Sequence, residues 1–338
     1  MEKKTGRQLM AKEGTDWFKG IAAVMVVLSH YAEWWSWFIP AEGGGEMFRL
    51  ALTKLGVYGV DIFFLFSGYS MVKSMKRERM YGEFIWKRVK NAYIPYFVVV
   101  GMIELLSGGF LSVQDFVNFV TGYDYWYMFV LFLFYIGFIV IYTVIGGKAP
   151  RVFIFGIFTY IISNWFYRRE MNDFWYISNI AFPLGVIAGE YEKTFIRILD
   201  KAGIFITAAL AVSMVFVVKW GLGGEADSGG NLPGYRLQFQ IGATVVWTLL
   251  VLVMAAKCRI KGKAFAFLGK SSLYIYLTHT YIFMKCVNSL ELGYAWRFAV
   301  SALATVAVSF LCSRLIAAVW DAAFKRKGAG FAENGNGC

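Results

Sequence analysis

Long apolar segments recur along almost the whole chain and constrain its fold more than any other feature. Runs of about 20 mostly apolar residues have the length at which a helix crosses the hydrocarbon core of a bilayer. With 338 residues, 58% of them hydrophobic and 19% aromatic, a water-soluble protein would lack the polar surface to cover its apolar side chains. The sequence therefore predicts an all-α integral membrane protein.

Ten of these runs are long enough to be transmembrane helices. They are predicted at residues 17–39, 53–72, 91–108, 125–146, 151–167, 174–190, 203–221, 237–256, 271–289 and 295–319. Residues 17–319 would then form one transmembrane domain, preceded by a basic N-terminal segment (1–16) and followed by a C-terminal tail (320–338).

The distribution of basic residues predicts the orientation. Most of the 34 Lys and Arg residues fall in alternate connections, above all in the blocks Lys73–Lys90 and Lys257–Lys270. Because cytoplasmic loops are enriched in Lys and Arg, both termini are expected in the cytoplasm, with the protein in the plasma or inner membrane. The net charge of +12 is then explained by topology and by attraction to anionic lipid. The lipid bilayer is the expected partner, and binding to nucleic acid is not expected.

The two histidines of the chain, His30 and His279, both lie inside predicted spans, where an ionisable side chain is a functional candidate by default. His30 follows Lys19 by eleven residues, which is three helical turns plus about 20°, so both face one side of a helix, roughly 16 Å apart. Glu33 is placed to accept a hydrogen bond from the imidazole, and Asp16 stands in the same relation to Lys19. Two histidines on different helices, without carboxylates at ligand spacing, give no reason to expect a metal.

Structural interpretations of these residues stay open. A lone intramembrane histidine can bridge two helices, and only Tyr and Thr residues accompany His279. The glycines at 56, 59 and 68 fit close helix packing, and clustered aromatic residues fit an interfacial belt. Asp61 is harder to assign to packing, because a carboxylate in an apolar run requires a partner or water.

The first two predicted helices resemble those of a known family. The first reads Asp16-Trp-Phe-Lys19-Gly-Ile-Ala and then Leu-Ser-His30; the second contains Gly-Val-Tyr-Gly-Val-Asp61-Ile-Phe-Phe-Leu-Phe-Ser-Gly-Tyr69. These are similar to the patterns Asp, Arg-Gly-Leu-Ala, ten residues, His, and Gly-Val-x-x-Phe-Phe-x-x-Ser-Gly-Tyr of the acyltransferase 3 family of integral membrane O-acyltransferases. Further similarities follow in order along nearly the whole chain.

The resemblance implies transfer of an acyl group, most often acetyl, from a coenzyme A thioester to a hydroxyl, commonly of a cell-surface carbohydrate. Acetyl-CoA would be the co-substrate. The residues expected to take part are His30 as general base, Glu33 orienting it, Lys19, Lys87, Arg88 and Lys90 binding the donor phosphates, and Trp34, Trp126 and Asp124 binding the carbohydrate. The hydroxyls of Ser67 and Tyr69 would contact the acyl carbonyl or, alternatively, only hydrogen-bond an adjacent helix.

Two departures from the family pattern concern the donor site. Lys19 stands where arginine is usual, and Asn91 stands where the pattern Arg-x-x-Arg has its second arginine after Arg88. Lysine keeps the positive charge but loses the planar fork that binds phosphate in a bidentate manner. Recognition of the donor is therefore expected to differ in detail.

Two other classes of protein remain compatible with the residues. A secondary transporter or flippase also uses intramembrane His, Asp and Glu, although no inverted repeat is visible. A catalytically silent scaffold would need His30 only for stability. Within the enzyme class, the residues do not distinguish acetyl from succinyl donors and do not identify the acceptor.

Overall fold

The computed structural model describes residues 8–38, 45–77, 81–222, 234–258 and 262–332, and side chains at 8–35, 48–77, 81–219, 237–258 and 262–322. The ends of the predicted terminal segments, residues 1–7 and 333–338, lie outside these ranges. All regular elements in the described ranges are helical, and no strand occurs among them. The expected all-α class is confirmed.

The α-helices follow one another with short connections. In chain order they are α1 (Lys12–Phe38), α2 (Gly45–Arg77), α3 (Tyr81–Arg88), α4 (Ile94–Leu106), α5 (Val113–Thr121), α6 (Trp126–Val144), α7 (Lys148–Arg168), α8 (Ala181–Glu190), α9 (Glu192–Leu222), α10 (Gly234–Lys257), α11 (Lys263–Lys270), α12 (Ser272–Ser289) and α13 (Tyr294–Ala332). A π-helical turn (Val89–Tyr93) joins α3 to α4, and two 3-10 turns (Asp173–Trp175 and Ile177–Ile180) precede α8.

Six described helical segments are long and apolar enough to cross a membrane: Phe48–Arg77, Tyr81–Leu106, Trp126–Val144, Glu192–Lys219, Leu237–Lys257 and Tyr294–Ala322. They coincide with six of the ten predicted spans. Four predicted spans contain helix but do not meet these criteria of length and apolar character: 17–39, 151–167, 174–190 and 271–289. In 174–190 the α-helix is only the 10 residues of α8, about 15 Å, half the thickness of the hydrocarbon core. Ten spans and cytoplasmic termini remain predictions.

The described chain divides into two compact units. Unit 1 contains the residues up to Ile85 together with Val120–Lys270, and unit 2 contains Trp86–Phe119 together with the residues from Ser271 onward. Helices α1, α2 and α6–α11 therefore belong to unit 1, and α4, α5, α12 and α13 belong to unit 2.

Helix α2 is central in unit 1, with α1 and α8 packed against it. Glycines allow both contacts, because a Cβ atom at Gly59 would lie 2.8 Å from the Ala22 carbonyl oxygen, and one at Gly68 would collide with the Phe182 carbonyl oxygen. Gly185 of α8 meets the Leu65 carbonyl in the same way. The packing interpretation of the α2 glycines is confirmed, since small residues let helix backbones approach.

A cluster of buried phenylalanines fills the space between α2, α6, α7 and α8. The ring of Phe134 lies 5.6 Å from Phe64 and 5.0 Å from Phe182, and Phe155 lies 5.5 Å from Phe182, measured between centroids. All four side chains are fully buried. Aromatic pairs at these distances add to the stabilisation that burial itself provides.

Unit 2 is held by polar contacts as well as by helix packing. Tyr96 of α4 donates a hydrogen bond to the Phe119 carbonyl oxygen of α5 at 2.7 Å. The hydroxyls of Thr278 in α12 and Ser309 in α13 lie 3.0 Å apart. These contacts join α4 to α5 and α12 to α13.

Candidate functional site

His30 lies in the second half of α1, which is unbroken from Lys12 to Phe38. The residue before it, Ser29, donates a hydrogen bond of 2.6 Å to the Thr53 carbonyl oxygen of α2, and Gly56 leaves room for that serine. The imidazole is half-buried, with its centroid 5.5 Å from the ring of Trp34, which is only 6% exposed. The backbone next to His30 is thus held against α2 at Ser29.

Glu33 is exposed and lies one turn beyond His30 on the same helix. Its carboxylate interacts electrostatically with the ammonium group of Lys54 in α2. This pair places an acidic and a basic group near the level of His30, since Ser29 meets Thr53 there. The predicted hydrogen bond between Glu33 and His30 remains a prediction.

Lys19 and Asp16 lie near the other end of α1, where α11 packs against it. A Cβ atom at Gly20 would collide with the Phe265 carbonyl oxygen, and one at Gly269 would collide with the Asp16 carbonyl oxygen. Both Lys19 and Asp16 are half-buried. The close approach of the two helices fixes this turn and therefore the position from which Lys19 extends.

Tyr69, expected at the donor, is engaged in a polar cluster at the end of α2. Its hydroxyl donates to the Glu192 carboxylate, which also accepts from the Leu9 backbone N–H at 2.9 Å and pairs with the Lys73 ammonium at 2.7 Å. These four residues, the Glu192 cluster, join the N-terminal segment, α2 and α9. The hydroxyl of Ser67 lies beside that of the buried Tyr127. Glu192 was not predicted from the sequence as part of a polar cluster. Its position as an acidic residue in a connection rich in basic residues was a signal that could have identified it.

Replacing Tyr69 by phenylalanine is expected to lower the melting temperature of the protein. The change removes one hydrogen bond to a charged acceptor, which typically contributes about 1.5–3 kcal/mol, and leaves Lys73 on Glu192. Thermal unfolding in detergent measures this, with Tyr160→Phe, at a side chain that is 70% exposed, as the matched control. An unchanged melting temperature with a raised KM for acetyl-CoA would instead favour the donor-binding role.

The predicted donor cations lie together in unit 2. Lys87 and Arg88 end α3, Lys90 is inside the π-helical turn, and all three are half-buried. Pro95, in the first turn of α4, has no N–H to bond the preceding turn, which explains a local change of hydrogen-bond register. Such π-helical turns are frequent at functional sites. The ammonium of Lys90 lies 4.5 Å from the ring centroid of Trp320.

Lys19, His30 and Glu33 belong to unit 1, whereas the three donor cations belong to unit 2. Their joint action on one donor molecule remains a prediction.

His279 is 1% exposed in α12. Its Nδ1 lies 2.7 Å from the Tyr276 carbonyl oxygen and 3.1 Å from that of Ile275, and its Nε2 lies 3.4 Å from the Thr280 hydroxyl. Two carbonyl acceptors at Nδ1 require the proton to be on that nitrogen. This geometry fits the structural interpretation of His279.

The residues proposed for the acceptor separate into two places. Trp126, at the start of α6, has its ring 5.2 Å from Phe174 and 6.3 Å from Trp175, with the exposed Asp124 two residues before it. Trp34 instead lies beside His30. In the aromatic group of unit 1 around Trp126, Trp126 is half-buried and Trp175 is buried, while Trp34 forms part of the surroundings of the imidazole.

Asp61, the carboxylate in the apolar run of α2, is fully buried. The hydroxyls of Ser178 and Thr244 lie beside it. The sequence predicted that this carboxylate needs a partner, and the structure supplies two hydroxyl neighbours.

Comparison with known proteins identifies the family. The acyltransferase 3 model, described as an acyltransferase domain, matches residues 12–314. The chain belongs to the acyltransferase 3 family. The resemblance of the first two helices is thereby confirmed, and the match extends from the start of α1 into α13. Neither the curated proteins nor the solved structures that were compared gave a match.

Membership of the acyltransferase 3 family supports membrane acyltransferase activity and a multi-pass membrane protein. It favours an enzyme over the transporter and scaffold interpretations, since the match includes the helices that carry His30 and the α2 signature. The family match does not identify the acyl donor or the acceptor.

Proposed function

We propose that this acyltransferase 3 protein transfers an acetyl group from acetyl-CoA to a hydroxyl of a cell-surface carbohydrate. The observation that carries the proposal is the family match over residues 12–314, which includes the helix bearing His30. The ten-span topology with cytoplasmic termini, in the cell membrane, belongs to the same proposal, because it puts the donor cations on the side where coenzyme A is available.

The chemistry assigned to His30 is general base catalysis. An alcohol near neutral pH is a poor nucleophile, so the imidazole removes the hydroxyl proton as the oxygen attacks the thioester carbonyl. The new C–O bond forms, the C–S bond breaks, and the proton passes from His30 to the departing thiolate. Glu33 acts as a positioning residue for the imidazole.

The donor phosphates are assigned to Lys87, Arg88 and Lys90. Lys19, which lies towards the other end of α1 from His30, is also assigned to the donor. The support is the clustering of three half-buried cations in one helical turn and a π-helical register, together with the affinity of guanidinium and ammonium groups for phosphate. An extended pantetheine arm has the reach to bring the thioester from Lys19 towards His30, roughly 16 Å along α1.

Replacing Arg88 by glutamine is expected to raise the KM for acetyl-CoA about tenfold or more with little change in kcat. A hydrogen bond to a charged partner contributes about 1.5–3 kcal/mol, and that contribution is made equally in the ground and transition states. Initial rates at varied acetyl-CoA measure it, with Arg169→Gln, an exposed arginine at the end of α7, as the matched control. Equal KM values for the two variants would remove Arg88 from the donor site.

The acceptor is assigned to the aromatic group around Trp126 with Asp124, and to Trp34 beside His30. Pyranose faces pack on aromatic rings while carboxylates accept hydrogen bonds from sugar hydroxyls.

The proposal is tested by incubating the purified protein in lipid with radiolabelled acetyl-CoA and a panel of polysaccharides. Label that enters the glycan and is released by mild alkali identifies an O-acetyl ester. Radiolabelled succinyl-CoA, run in parallel, tests the identity of the acyl group. A transporter predicts movement of glycan across vesicles without any donor, and no covalent label.

A further inference from the structure

Asp61 is a buried carboxylate without a compensating charge. It is 0% exposed, and neither of its carboxylate oxygens has a hydrogen-bond partner of good geometry among the described residues. No described basic side chain forms an ion pair with it. An uncompensated buried charge is strongly destabilising, and intramembrane carboxylates commonly mark ion sites.

Oxygen atoms from two other elements surround this carboxylate. The hydroxyls of Ser178, in the 3-10 turn before α8, and Thr244, in α10, lie beside it and are themselves buried. Ser178 donates a long hydrogen bond of 3.4 Å to the Val57 carbonyl oxygen, and the Thr244 hydroxyl has no hydrogen-bond partner in the described part of the chain. Both hydroxyl oxygens therefore keep lone pairs for a ligand.

A cavity of about 200 Å³ lies next to this group and reaches it at Thr244. Thr244 is part of its wall, together with Gln240, Tyr58, Lys54 and Asp173. The amide oxygen of Gln240, one turn from Thr244, is also buried without a hydrogen-bond partner among described residues. The cavity is large enough for a hydrated ion, and its wall includes residues of α2, α9 and α10.

The hydroxyl and amide oxygens each offer lone pairs and Asp61 is a carboxylate, so a positively charged ligand fits them. Hard cations bind carboxylate, hydroxyl and amide oxygens. No group of three His, Cys, Asp or Glu side chains that could hold a metal ion occurs in the described ranges, and Asp61 is the one carboxylate beside Ser178 and Thr244, too few negative charges for a tightly held divalent ion. We propose that Asp61, Ser178 and Thr244 bind a monovalent alkali cation, Na⁺ or K⁺, which enters through the cavity.

The lysine in the cavity wall does not replace this cation. Lys54 precedes Asp61 by seven residues, about 10 Å along α2, and its charge interacts with Glu33 of α1. The site departs from the sequence-based expectation of no metal, because that expectation considered histidines with carboxylates at ligand spacing, whereas the ligands here are one carboxylate and hydroxyls from segments far apart in sequence.

The consequence of the bound cation is a link between three elements of unit 1. Asp61 belongs to α2, Ser178 to the 3-10 turn and Thr244 to α10. The Trp247 indole already donates a hydrogen bond of 2.9 Å to the Tyr58 carbonyl oxygen in the same region. Cation binding is therefore expected to stabilise the folded protein by mass action, independently of acyl transfer.

The test is the melting temperature of the purified full-length protein in NaCl, KCl and choline chloride at one ionic strength. The proposal predicts a melting temperature several degrees higher in Na⁺ or K⁺ than in choline, with a saturable dependence on concentration. Asp61→Asn is expected to abolish the difference and Thr244→Val to weaken it, while Asp173→Asn at the cavity wall retains it. Binding of radioactive Na⁺, displaced by unlabelled Na⁺ or K⁺, measures occupancy directly.

Equal melting temperatures of the wild type in all three salts, with no radioactive Na⁺ bound, would overturn the proposal and indicate that Asp61 carries a proton. Loss of the cation effect in Asp173→Asn but not in Asp61→Asn would also overturn it, by placing the ion at the cavity wall. If Asp61→Asn does not fold, the test is made with Thr244→Val: a weaker cation effect than in the wild type supports the site, and an unchanged effect contradicts it. No coenzyme A enters these experiments, so their outcome is separate from that of the acyl transfer assay.

Discussion

Replacing His30 by alanine is expected to lower the rate of acyl transfer by at least about 100-fold while the protein still inserts and folds. A positioned general base contributes about 10²–10⁴ to the rate, and no other described histidine lies in unit 1. The fold is expected to survive because Ser29, Thr53 and Gly59 hold α1 against α2. The measurement is kcat for acetyl-CoA turnover together with the melting temperature.

His30→Gln separates catalysis from a structural hydrogen bond. Glutamine can bridge helices through its amide but cannot act as a base at neutral pH. The account therefore predicts that His30→Gln is as inactive as His30→Ala, with the melting temperature of the wild type. Substantial activity in the glutamine variant would show that His30 has only the bridging role, as a scaffold interpretation requires.

Gly68→Ala is expected to cost about 3 kcal/mol of folding stability or more, with loss of most of the monodisperse protein after extraction. Overpacking typically costs about 1–3 kcal/mol, and here the added Cβ would collide with the Phe182 carbonyl oxygen, a backbone atom that cannot rotate away. On the facing helix, Gly185 is packed against the Leu65 carbonyl in the same manner. Movement of α8 away from α2 would open both contacts.

Gly156→Ala is the matched control for this prediction. It lies within α7, and no atom lies within 4 Å of its would-be Cβ, so the change is expected to be neutral or to stabilise the helix by up to about 1 kcal/mol. Fluorescence-detected size exclusion and thermal unfolding measure both variants. A Gly68→Ala protein with a normal melting temperature and no activity would contradict the packing role and assign Gly68 to the catalytic site.

The helical architecture was predictable because apolar length is visible in sequence, but the number of spans was not settled by it. The run 174–190 is apolar throughout its centre, yet the structure divides it into 3-10 turns and the short α8, with Pro183 in the first helical turn. Proline lacks an N–H and favours helix starts. Apolar length alone does not distinguish one long helix from a short buried one.

The placement of the candidate residues was predictable where they share one helix and not where contacts are distant in sequence. Lys19, His30 and Glu33 follow from helical periodicity, and α1 is continuous as expected. Tyr69 meets Glu192 across 123 positions, and Asp61 meets Thr244 between α2 and α10. Such tertiary contacts leave no local pattern, so the Glu192 cluster and the surroundings of Asp61 emerged only from the structure.

The most direct test of acyl-CoA-dependent transfer is release of free thiol from acetyl-CoA by the purified wild-type protein in lipid, with a mixed glycan acceptor, beside His30→Ala. The account predicts release by the wild type that requires the acceptor, and at least about 100-fold less by the variant. No release and no binding of coenzyme A by either protein would contradict it and favour a transporter.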